Sequence, residues 1–236
     1  MKALILSAGL GTRLRPLTDR IPKPLVDING TPVIDLIIDK LEKTGVREFA
    51  FNLHHLPEPL KNHLTDRLGK RAFFTFEEDL LDTGGSIASV AEWAADEKAL
   101  IVHNGDILSD IMPDGLVSAL DSFDAAFALL KRGKSDNVRL DIASGRITDM
   151  RNITGAPEEG SGMFTFSGIA AYSSDFIARM PKGKYSVVEY LALGIKNGTS
   201  NPGGIVFNNA FWNDIGTFES LEECRREVKD GKYRLP

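Results

Sequence analysis

The sequence predicts one Rossmann-like α/β domain, in which helices flank a mostly parallel central sheet. Its 236 residues are enough for one large domain with a substantial core. Short apolar runs typical of buried strands alternate with amphipathic stretches typical of helices. Such alternation requires crossover connections and favours a parallel sheet. No linker rich in proline, glycine or serine divides the chain, so we expect a single domain over residues 1–236.

The first half of the chain carries the clearest elements. Residues 2–7 contain four consecutive apolar residues before a glycine-rich turn, which indicates a buried strand. Residues 33–41 follow helical spacing, and the amphipathic pattern places Lys40 among the polar residues of the opposite face. Pro32 and Gly45 mark the ends of this helix. The same patterns predict strands over 48–53, 72–77 and 99–104, and helices over 58–68 and 86–93.

The second half is less regular but continues the alternation. Residues 163–172 form a long run rich in threonine and phenylalanine, which favours a strand. Residues 218–228 are strongly charged and predict a terminal helix. The remaining patterns predict strands over 124–130, 137–142 and near 204–207, and helices over 174–180 and 186–195.

Composition excludes several classes of protein. A net charge of −5 argues against a general nucleic-acid binder, since such proteins carry a basic face. Every apolar run is too short for a membrane helix or a signal peptide, so we expect no membrane association and a cytoplasmic location. The single cysteine, Cys224, excludes an internal disulfide and a multi-cysteine zinc site. The oligomeric state stays open.

A glycine-rich segment follows the first strand, over residues 6–18. Gly9 and Gly11 let backbone N–H groups approach an anion, and Arg13 and Arg15 stand beside them. Residues 1–25 carry a local charge of +4, with Asp19 opposed by five basic residues: Lys2, Arg13, Arg15, Arg20 and Lys23. A compact basic segment in an acidic chain suggests a small anion such as a phosphate chain.

Two common phosphate loops do not fit this segment. A dinucleotide fingerprint requires glycine five positions after Gly9, where Leu14 stands. A Walker loop requires Gly-Lys-Ser or Gly-Lys-Thr at the correct spacing, and this occurs nowhere in the sequence. The segment is therefore a phosphate loop of another kind, or a surface turn with two incidental arginines.

Two further motifs carry charge suited to phosphate and metal. Prolines on both sides of Lys23 hold its backbone, so its amine can serve as a point charge for phosphate. Asp106 ends the strongest predicted strand in Asn-Gly-Asp, where a carboxylate can bind Mg²⁺. A second carboxylate is expected, and Asp214 is the candidate. The rivals are ordinary loop and cap acids: Asp110, Asp114 and Asp124.

Taken in order, these motifs resemble the sugar-1-phosphate nucleotidyltransferase family. The resemblance covers residues 1 to about 228, within which the shared motifs occur in family order. It is carried by residues 6–18, Pro-Lys-Pro-Leu at 22–25, Thr-Gly-Gly at 83–85, Asn-Gly-Asp at 104–106, Phe-Ser-Gly at 166–168 and 212–217. Ser7 stands where the family more often has alanine or glycine. The chain is most similar to the short uridylyltransferases of N-acetylmuramate 1-phosphate.

The resemblance implies roles for individual residues. The nucleotide half is expected over about 1–110 and the sugar half over about 111–236. The backbone of Ala8, Gly9, Leu10, Gly11 and Thr12 would bind the nucleotide. Arg13 and Lys23 would be catalytic and hold its phosphates, and Asp82 to Gly85 would lie beside the base. Asp106 and Asp214 would bind Mg²⁺. Three residues would face the sugar: Asn104, Gly168 and Glu189.

The implied reaction joins a nucleoside triphosphate to a sugar 1-phosphate and releases pyrophosphate. UTP with N-acetylmuramate 1-phosphate, or a similar sugar, is the first prediction, which would place the enzyme in cell-wall synthesis. Alternatives are a guanylyltransferase for mannose or heptose 1-phosphate and a cytidylyltransferase for phosphocholine. A non-catalytic sensor of sugar nucleotides is an alternative of another class. It would be expected to lack a charged position, whereas Arg13, Lys23, Asp106 and Asp214 are all present.

Other candidate residues receive structural interpretations. Adjacent histidines on a strand point to opposite faces, so His54 and His55 are unsuited to one metal. His103 is expected to be a hydrogen-bonded, partly buried histidine. Cys224 lies on a charged helix with no histidine partner, which argues against a nucleophilic role.

Overall fold

A computed structural model of the chain describes residues 1–133, 136–155 and 160–233. Its strands are β1 (Lys2–Leu6), β2 (Asp27–Ile28), β3 (Thr31–Pro32), β4 (Glu48–Leu53), β5 (Ala72–Phe76), β6 (Ala99–Asn104), β7 (Ile107–Ser109), β8 (Ala125–Leu130), β9 (Val138–Asp141), β10 (Ile147–Met150), β11 (Ser161–Ser173), β12 (Pro202–Val206) and β13 (Trp212–Asp214). Its helices are α1 (Val33–Lys43), α2 (Pro57–Leu68), α3 (Asp82–Ser89), α4 (Ala91–Ala94), α5 (Asp114–Ala119), α6 (Ser174–Ala178), α7 (Val187–Asn197) and α8 (Phe218–Lys229). The predicted alternation of strands and helices is confirmed.

The chain divides into two compact units. The first contains the described residues of Met1–Leu80, His103–Met112 and Ala210–Pro236. In it, β1, β4 and β5 are parallel neighbours in that order, and Lys2 pairs with Glu48 and Phe49 with Ala72. Two short antiparallel ladders, β2 with β3 and β7 with β13, complete its strands.

The second unit contains the described residues of Leu81–Val102 and Pro113–Asn209. The long strand β11 pairs antiparallel with both β8 and β9, and β9 pairs antiparallel with β10. Strand β12 lies parallel to β8. The predicted α/β class with a mostly parallel central sheet is confirmed, and the second unit adds the antiparallel strands β9 to β11.

Helix α1 shows how the core is built. Its apolar positions recur at helical spacing, and Ile34, Ile37, Ile38 and Leu41 are all fully buried. The amphipathic pattern is thus confirmed for the apolar face. Lys40 departs from it, because this lysine is only 1% exposed. The expectation that Lys40 belongs to a polar face is wrong.

Several predicted boundaries need correction. The helix predicted over 86–93 begins earlier, at Asp82, and divides at Val90 into α3 and α4. The strands β2, β3, β7, β10 and β13 and the helix α5 were not predicted. Among the described helices, none has the length and apolar character that a membrane span requires.

Candidate active site

The glycine-rich segment forms a tight loop after β1. Gly11 has a φ of +62°, a left-handed conformation that favours glycine. A side chain there would also meet Thr18, whose Cγ2 lies 2.7 Å from the position of an added Cβ. The Thr18 hydroxyl donates a hydrogen bond to the Gly11 carbonyl at 2.7 Å. Gly11 is therefore required by the loop's own geometry.

The outer part of this loop offers backbone donors. Gly9 and Leu10 are exposed, and no Cβ contact would arise at Gly9. Within the described residues, no group accepts a hydrogen bond from the backbone N–H of Gly9, Leu10 or Gly11. A row of free N–H groups in a tight turn is suited to phosphate oxygens.

A chain of buried polar residues supports the base of the loop. The Ser7 N–H donates to Asn52 Oδ1 at 2.7 Å, and Asn52 Nδ2 donates to Glu77 Oε1 at 2.9 Å. All three residues are buried at the carboxyl ends of β1, β4 and β5. This network was not predicted from the sequence, although the polar Asn52 among the apolar residues of β4 was a signal.

Lys23 lies on a rigid support, as predicted from its flanking prolines. It begins a 3₁₀ turn, Lys23–Leu25, after the extended Pro22. Its side chain is 9% exposed, and its Nζ lies 2.5 Å from Asp106 Oδ2. The structure thus brings together two residues that belong to separate motifs of the sequence.

Asp106 follows a turn whose geometry depends on glycine. The Gly105 N–H donates to the Leu6 carbonyl at 2.9 Å. A Cβ added to Gly105 would lie 2.6 Å from the same carbonyl oxygen, a backbone atom. Gly105 therefore allows the end of β6 to approach the end of β1, where the glycine-rich loop begins.

We expect Gly105→Ala to destabilise the protein by about 1–3 kcal/mol, because the added methyl group forces these two backbones apart. It should also lower activity, since the displaced segment carries Asp106. Chemical denaturation and pyrophosphate release measure the two effects. Gly9→Ala is the matched control for stability alone, because its added methyl group meets nothing within 4 Å. Equal stability of the two variants would contradict this account of Gly105.

Asp214 is brought to Asp106 by the β7–β13 ladder. Asp214 pairs with Ile107, and the Ile215 N–H donates to the Asp106 carbonyl at 3.0 Å. Burial raises the pKa of Asp214, and the neighbouring Asp106 carboxylate raises it further. Lys23, Arg13 and the Gly216 backbone act in the opposite direction. Two carboxylates therefore share one partly buried location.

One atom of this pair lacks a hydrogen-bond partner. Asp214 Oδ1 is buried, and no described residue donates a hydrogen bond to it. A buried carboxylate oxygen without a donor is costly unless a cation compensates it. The two carboxylates fit a Mg²⁺ ion, which prefers oxygen ligands and retains several waters. No cluster of three or more metal-binding side chains occurs within the described residues.

Arg13 reaches the same location from the glycine-rich loop. A Cβ added to the buried Gly216 would lie 2.5 Å from Arg13 Nη2 and 2.8 Å from Asp214 Oδ1. Glycine at 216 therefore leaves room for both groups. Arg13, Lys23, Asp106 and Asp214 all belong to the first unit, where they form a cluster of two cations and two carboxylates.

The rival acids have other surroundings. Asp124 accepts hydrogen bonds from the Asn201 N–H at 2.8 Å and from Arg179 at 3.3 Å. Asp114 lies in the first turn of α5, where a carboxylate suits the helix dipole. Burial raises the pKa of Asp110, and the nearby Lys40 opposes this. The charged groups that shift the pKa of Asp214 are Asp106, Lys23 and Arg13, and none of the three rival acids is among them.

The residues predicted beside the base begin α3 in the second unit. Asp82 has a φ of +58°, and its Oδ1 accepts the Thr83 N–H. Gly84 donates its N–H to the Tyr185 carbonyl at 2.9 Å. A Cβ added to Gly85 would lie 2.1 Å from the Gly183 carbonyl oxygen. These glycines allow close backbone packing, and contact of Asp82 or Gly85 with a base stays a prediction.

The predicted sugar residues lie in both units. Asn104 ends β6 in the first unit, whereas Gly168 and Glu189 belong to the second. Gly168 has a φ of +83° at a register shift between β11 and β8, so its glycine is required by a bulge. Glu189 is exposed in the first turn of α7 and pairs with Arg151 at 3.3 Å. Their contact with a sugar stays a prediction.

The histidine pair and the cysteine have structural partners. His54 donates to the Glu77 carbonyl and His55 to the Thr18 carbonyl, each at 2.8 Å. Because a carbonyl oxygen only accepts, each ring uses its N–H in this contact. Cys224 is buried, and burial raises the pKa of its thiol to about 12. A thiol of this kind is protonated at neutral pH, which agrees with the absence of a nucleophilic role.

A buried lysine and histidine lie behind the Asp106 turn. Lys40 Nζ is 2.9 Å from His103 Nε2, and neither residue is more than 1% exposed. Burial lowers the pKa of Lys40 to about 7, and Asp110 partly opposes this. Burial and the adjacent Lys40 hold the pKa of His103 well below its usual range, so the ring is neutral.

The lowered pKa of Lys40 predicts a pH-dependent stability. Between pH 7 and about pH 10 the unfolded chain keeps the Lys40 proton that the folded protein has released, so stability rises with pH. We expect wild type to gain roughly 1 kcal/mol per pH unit over Lys40→Met in this range. Urea unfolding from pH 6 to 9 measures this difference. Lys70→Met, at an exposed position, should show no such trend. A pH-independent difference between wild type and Lys40→Met would contradict the shift.

Comparisons with known proteins show the family of this chain. Residues 2–134 match the family model described as nucleotidyl transferase. An N-acetylmuramate alpha-1-phosphate uridylyltransferase of Neisseria meningitidis is 28% identical over 95% of this chain and 97% of its own length. A probable mannose-1-phosphate guanylyltransferase of rice is 40% identical, but over 47% of this chain and 32% of its own length. A heptose 1-phosphate guanylyltransferase of Campylobacter jejuni is 35% identical over 47% of this chain and 50% of its own length.

Solved structures share the fold. HddC from Yersinia pseudotuberculosis has a TM-score of 0.76 at 22% identity, covering 96% of this chain and 99% of that one. A putative glucose-1-phosphate thymidylyltransferase from Bacillus anthracis has a TM-score of 0.77 at 18% identity, covering 98% and 96%. These likenesses show that the chain has the fold of these proteins. The chain belongs to the nucleotidyl transferase family.

Proposed function

We propose that the chain transfers a nucleotidyl group from a nucleoside triphosphate to a sugar 1-phosphate and releases pyrophosphate. The observation that carries this proposal is the cluster of Arg13, Lys23, Asp106 and Asp214, with its buried and unpaired Asp214 Oδ1. Two cations suit the phosphates, and two adjacent carboxylates suit a divalent metal. The free N–H groups of the preceding loop add phosphate-binding capacity.

The chemistry requires little beyond positioning and charge. An oxygen of the sugar phosphate attacks the α-phosphorus, and the bond to the pyrophosphate oxygen breaks. The attacking oxygen is already anionic, so no side chain has to remove a proton. Arg13 would hold the outer phosphates, and Lys23 would neutralise charge near the α-phosphorus. Mg²⁺, held by Asp106 and Asp214, would supply electrostatic stabilisation of the phosphates.

We infer UTP and N-acetylmuramate 1-phosphate, or a similar sugar 1-phosphate, as the first pair of substrates. This inference is supported by the Neisseria uridylyltransferase, which aligns over nearly its whole length. A cytoplasmic enzyme of cell-wall synthesis is the corresponding expectation. A guanylyltransferase is the second candidate, because the rice and Campylobacter guanylyltransferases have higher identity over about half the chain.

Pyrophosphate release tests both candidates. The assay combines Mg²⁺, each of four nucleoside triphosphates and a panel of acceptors: N-acetylmuramate, N-acetylglucosamine, glucose, mannose and heptose 1-phosphates and phosphocholine. We expect release with one base and one acceptor, UTP and N-acetylmuramate 1-phosphate. Release with GTP and mannose or heptose 1-phosphate would support the second candidate. No release, with tight binding of a sugar nucleotide in calorimetry, would support a sensor instead.

A further inference from the structure

The peptide group that precedes Asp106 is held at both of its polar atoms. His103 Nδ1 lies 2.8 Å from the Asn104 carbonyl oxygen, and the Gly105 N–H donates to the Leu6 carbonyl at 2.9 Å. The Asn104–Gly105 bond is trans, so its C=O and N–H point in opposite directions. Fixing both atoms therefore fixes the plane of this peptide.

The carbonyl on the other side of Asp106 is fixed as well. The Asp106 carbonyl accepts the Ile215 N–H at 3.0 Å, beside Asp214. The backbone is thus constrained immediately before and after the residue whose carboxylate meets Lys23. Of these three hydrogen bonds, the one from His103 is the only one made by a side chain.

The chemistry of the contacts sets the state of the His103 ring. The Asn104 carbonyl can only accept, so Nδ1 carries the proton and donates. In the neutral ring Nε2 is then an acceptor, and it faces Lys40 Nζ at 2.9 Å. Both side chains are buried, so water does not replace either contact readily. Lys40 on α1 therefore holds the His103 ring in place, and the ring in turn holds the Asn104–Gly105 peptide.

We propose that Lys40 and His103 are positioning residues of the active site, which hold the Asn104–Gly105 peptide so that the Asp106 carboxylate points toward Asp214. The proposal rests on the proposed function insofar as these two carboxylates bind a divalent metal. A hydrogen-bond partner of a metal-ligating side chain typically contributes 10–100-fold to metal affinity, and a partner that holds the ligand's backbone is expected at the lower end of this range. A buried pair retained only for the fold would have no such effect.

Two substitutions of His103 separate the positioning role from a packing role. The amide N–H₂ of asparagine occupies about the place of Nδ1, so His103→Asn can keep the bond to the Asn104 carbonyl. The longer His103→Gln places its amide near Nε2 and loses that bond. Lys40→Met/His103→Asn removes the buried amine as well, and it serves if His103→Asn alone does not fold. Thr44→Val is the control, because it removes another buried hydrogen bond, from Thr44 to the Leu41 carbonyl at the end of α1.

Binding of Mn²⁺ alone, measured by the electron paramagnetic resonance signal of the free ion, provides a readout besides activity. We expect His103→Gln to weaken Mn²⁺ binding by about 10-fold, and Asp106→Asn, which removes a ligand, to weaken it by at least as much. Lys40→Met and His103→Asn each keep a donor to the Asn104 carbonyl and lose only the contact between positions 40 and 103, so both should weaken Mn²⁺ binding less than His103→Gln does. Thr44→Val should bind Mn²⁺ as wild type does. Exchange of the Gly105 amide hydrogen, followed by NMR without metal, should be faster in His103→Gln than in His103→Asn.

The outcomes distinguish this proposal from the proposed function. Equal Mn²⁺ affinity in His103→Asn and His103→Gln, with a weakened Asp106→Asn, would overturn the positioning role. If Asp106→Asn also binds Mn²⁺ as wild type does, the metal assignment of the proposed function is wrong. The positioning role is then decided by Gly105 exchange alone: faster exchange in His103→Gln supports it, and equal exchange in the two His103 variants overturns it.

Discussion

Lys23→Met is expected to lower kcat by about 10²–10³, which is the usual effect of removing one charge contact from a transition state. Methionine keeps the length of the buried stem, whereas the ammonium that faces Asp106 is lost. The flanking prolines and the 3₁₀ turn do not depend on the amine, so the protein should fold. Steady-state kinetics of pyrophosphate release measure kcat, and circular dichroism verifies folding.

Lys70→Met is the matched control, because Lys70 is exposed on a 3₁₀ turn of the same unit. It should leave kcat unchanged. We also expect Lys23→Arg to restore little activity, since a planar guanidinium does not reproduce the single contact at 2.5 Å. Full turnover by a folded Lys23→Met enzyme would show that Lys23 is not catalytic.

The balance of charge in the cluster explains why a metal is part of the proposed function. Arg13 and Lys23 are offset by Asp106 and Asp214, so these four side chains together carry no net charge at neutral pH when both carboxylates are ionised. A triphosphate and a sugar phosphate bring only negative charge. A divalent cation between the carboxylates and the phosphates would reduce this repulsion. Metal and nucleotide are therefore expected to assist each other's binding.

Local patterns were sufficient for the parts of the site that depend on neighbouring residues. Gly11 and the Lys23 turn could be predicted because a left-handed glycine and flanking prolines act within a few residues. Asp106 could be predicted because the carboxyl end of a buried strand is a common place for ligands. The spatial pairing of Lys23 with Asp106 spans 83 residues, and the strand order needed to derive it is not visible in either motif.

Non-local features were missed for the same reason. Lys40 follows an amphipathic pattern that places it on a polar face, but His103 supplies a buried acceptor for its amine. The short strands β7 and β13 have only three residues each, and a hydrophobic alternation over three residues is too short to predict a strand. Their pairing nevertheless brings Asp214 to Asp106. In the sequence, Asp214 was the candidate because the rival acids resemble ordinary loop and cap residues, and the family resemblance implied the same residue.

Asp214→Asn is expected to act in opposite directions on activity and on stability. It should lower kcat by about 10²–10³, because it removes one of two carboxylates that would hold the metal. In EDTA it should raise the melting temperature, because burial and Asp106 disfavour the charged form of Asp214. The raised pKa means that protonation stabilises wild type as pH falls, so the advantage of the variant should shrink toward pH 4. Pyrophosphate release and thermal unfolding measure the two effects.

Asp114→Asn is the control for these opposite effects on kcat and on melting temperature, since Asp114 lies in the first turn of α5 and outside the charged cluster. It should raise neither the melting temperature nor the Mg²⁺ concentration needed for activity. Added Mg²⁺ should raise the melting temperature of wild type but not of Asp214→Asn, because only wild type retains both ligands. A variant that loses activity and stability together would instead indicate that Asp214 serves the fold. A loss of activity together with a gain in stability is expected only of a carboxylate that binds a ligand and destabilises the protein when the ligand is absent.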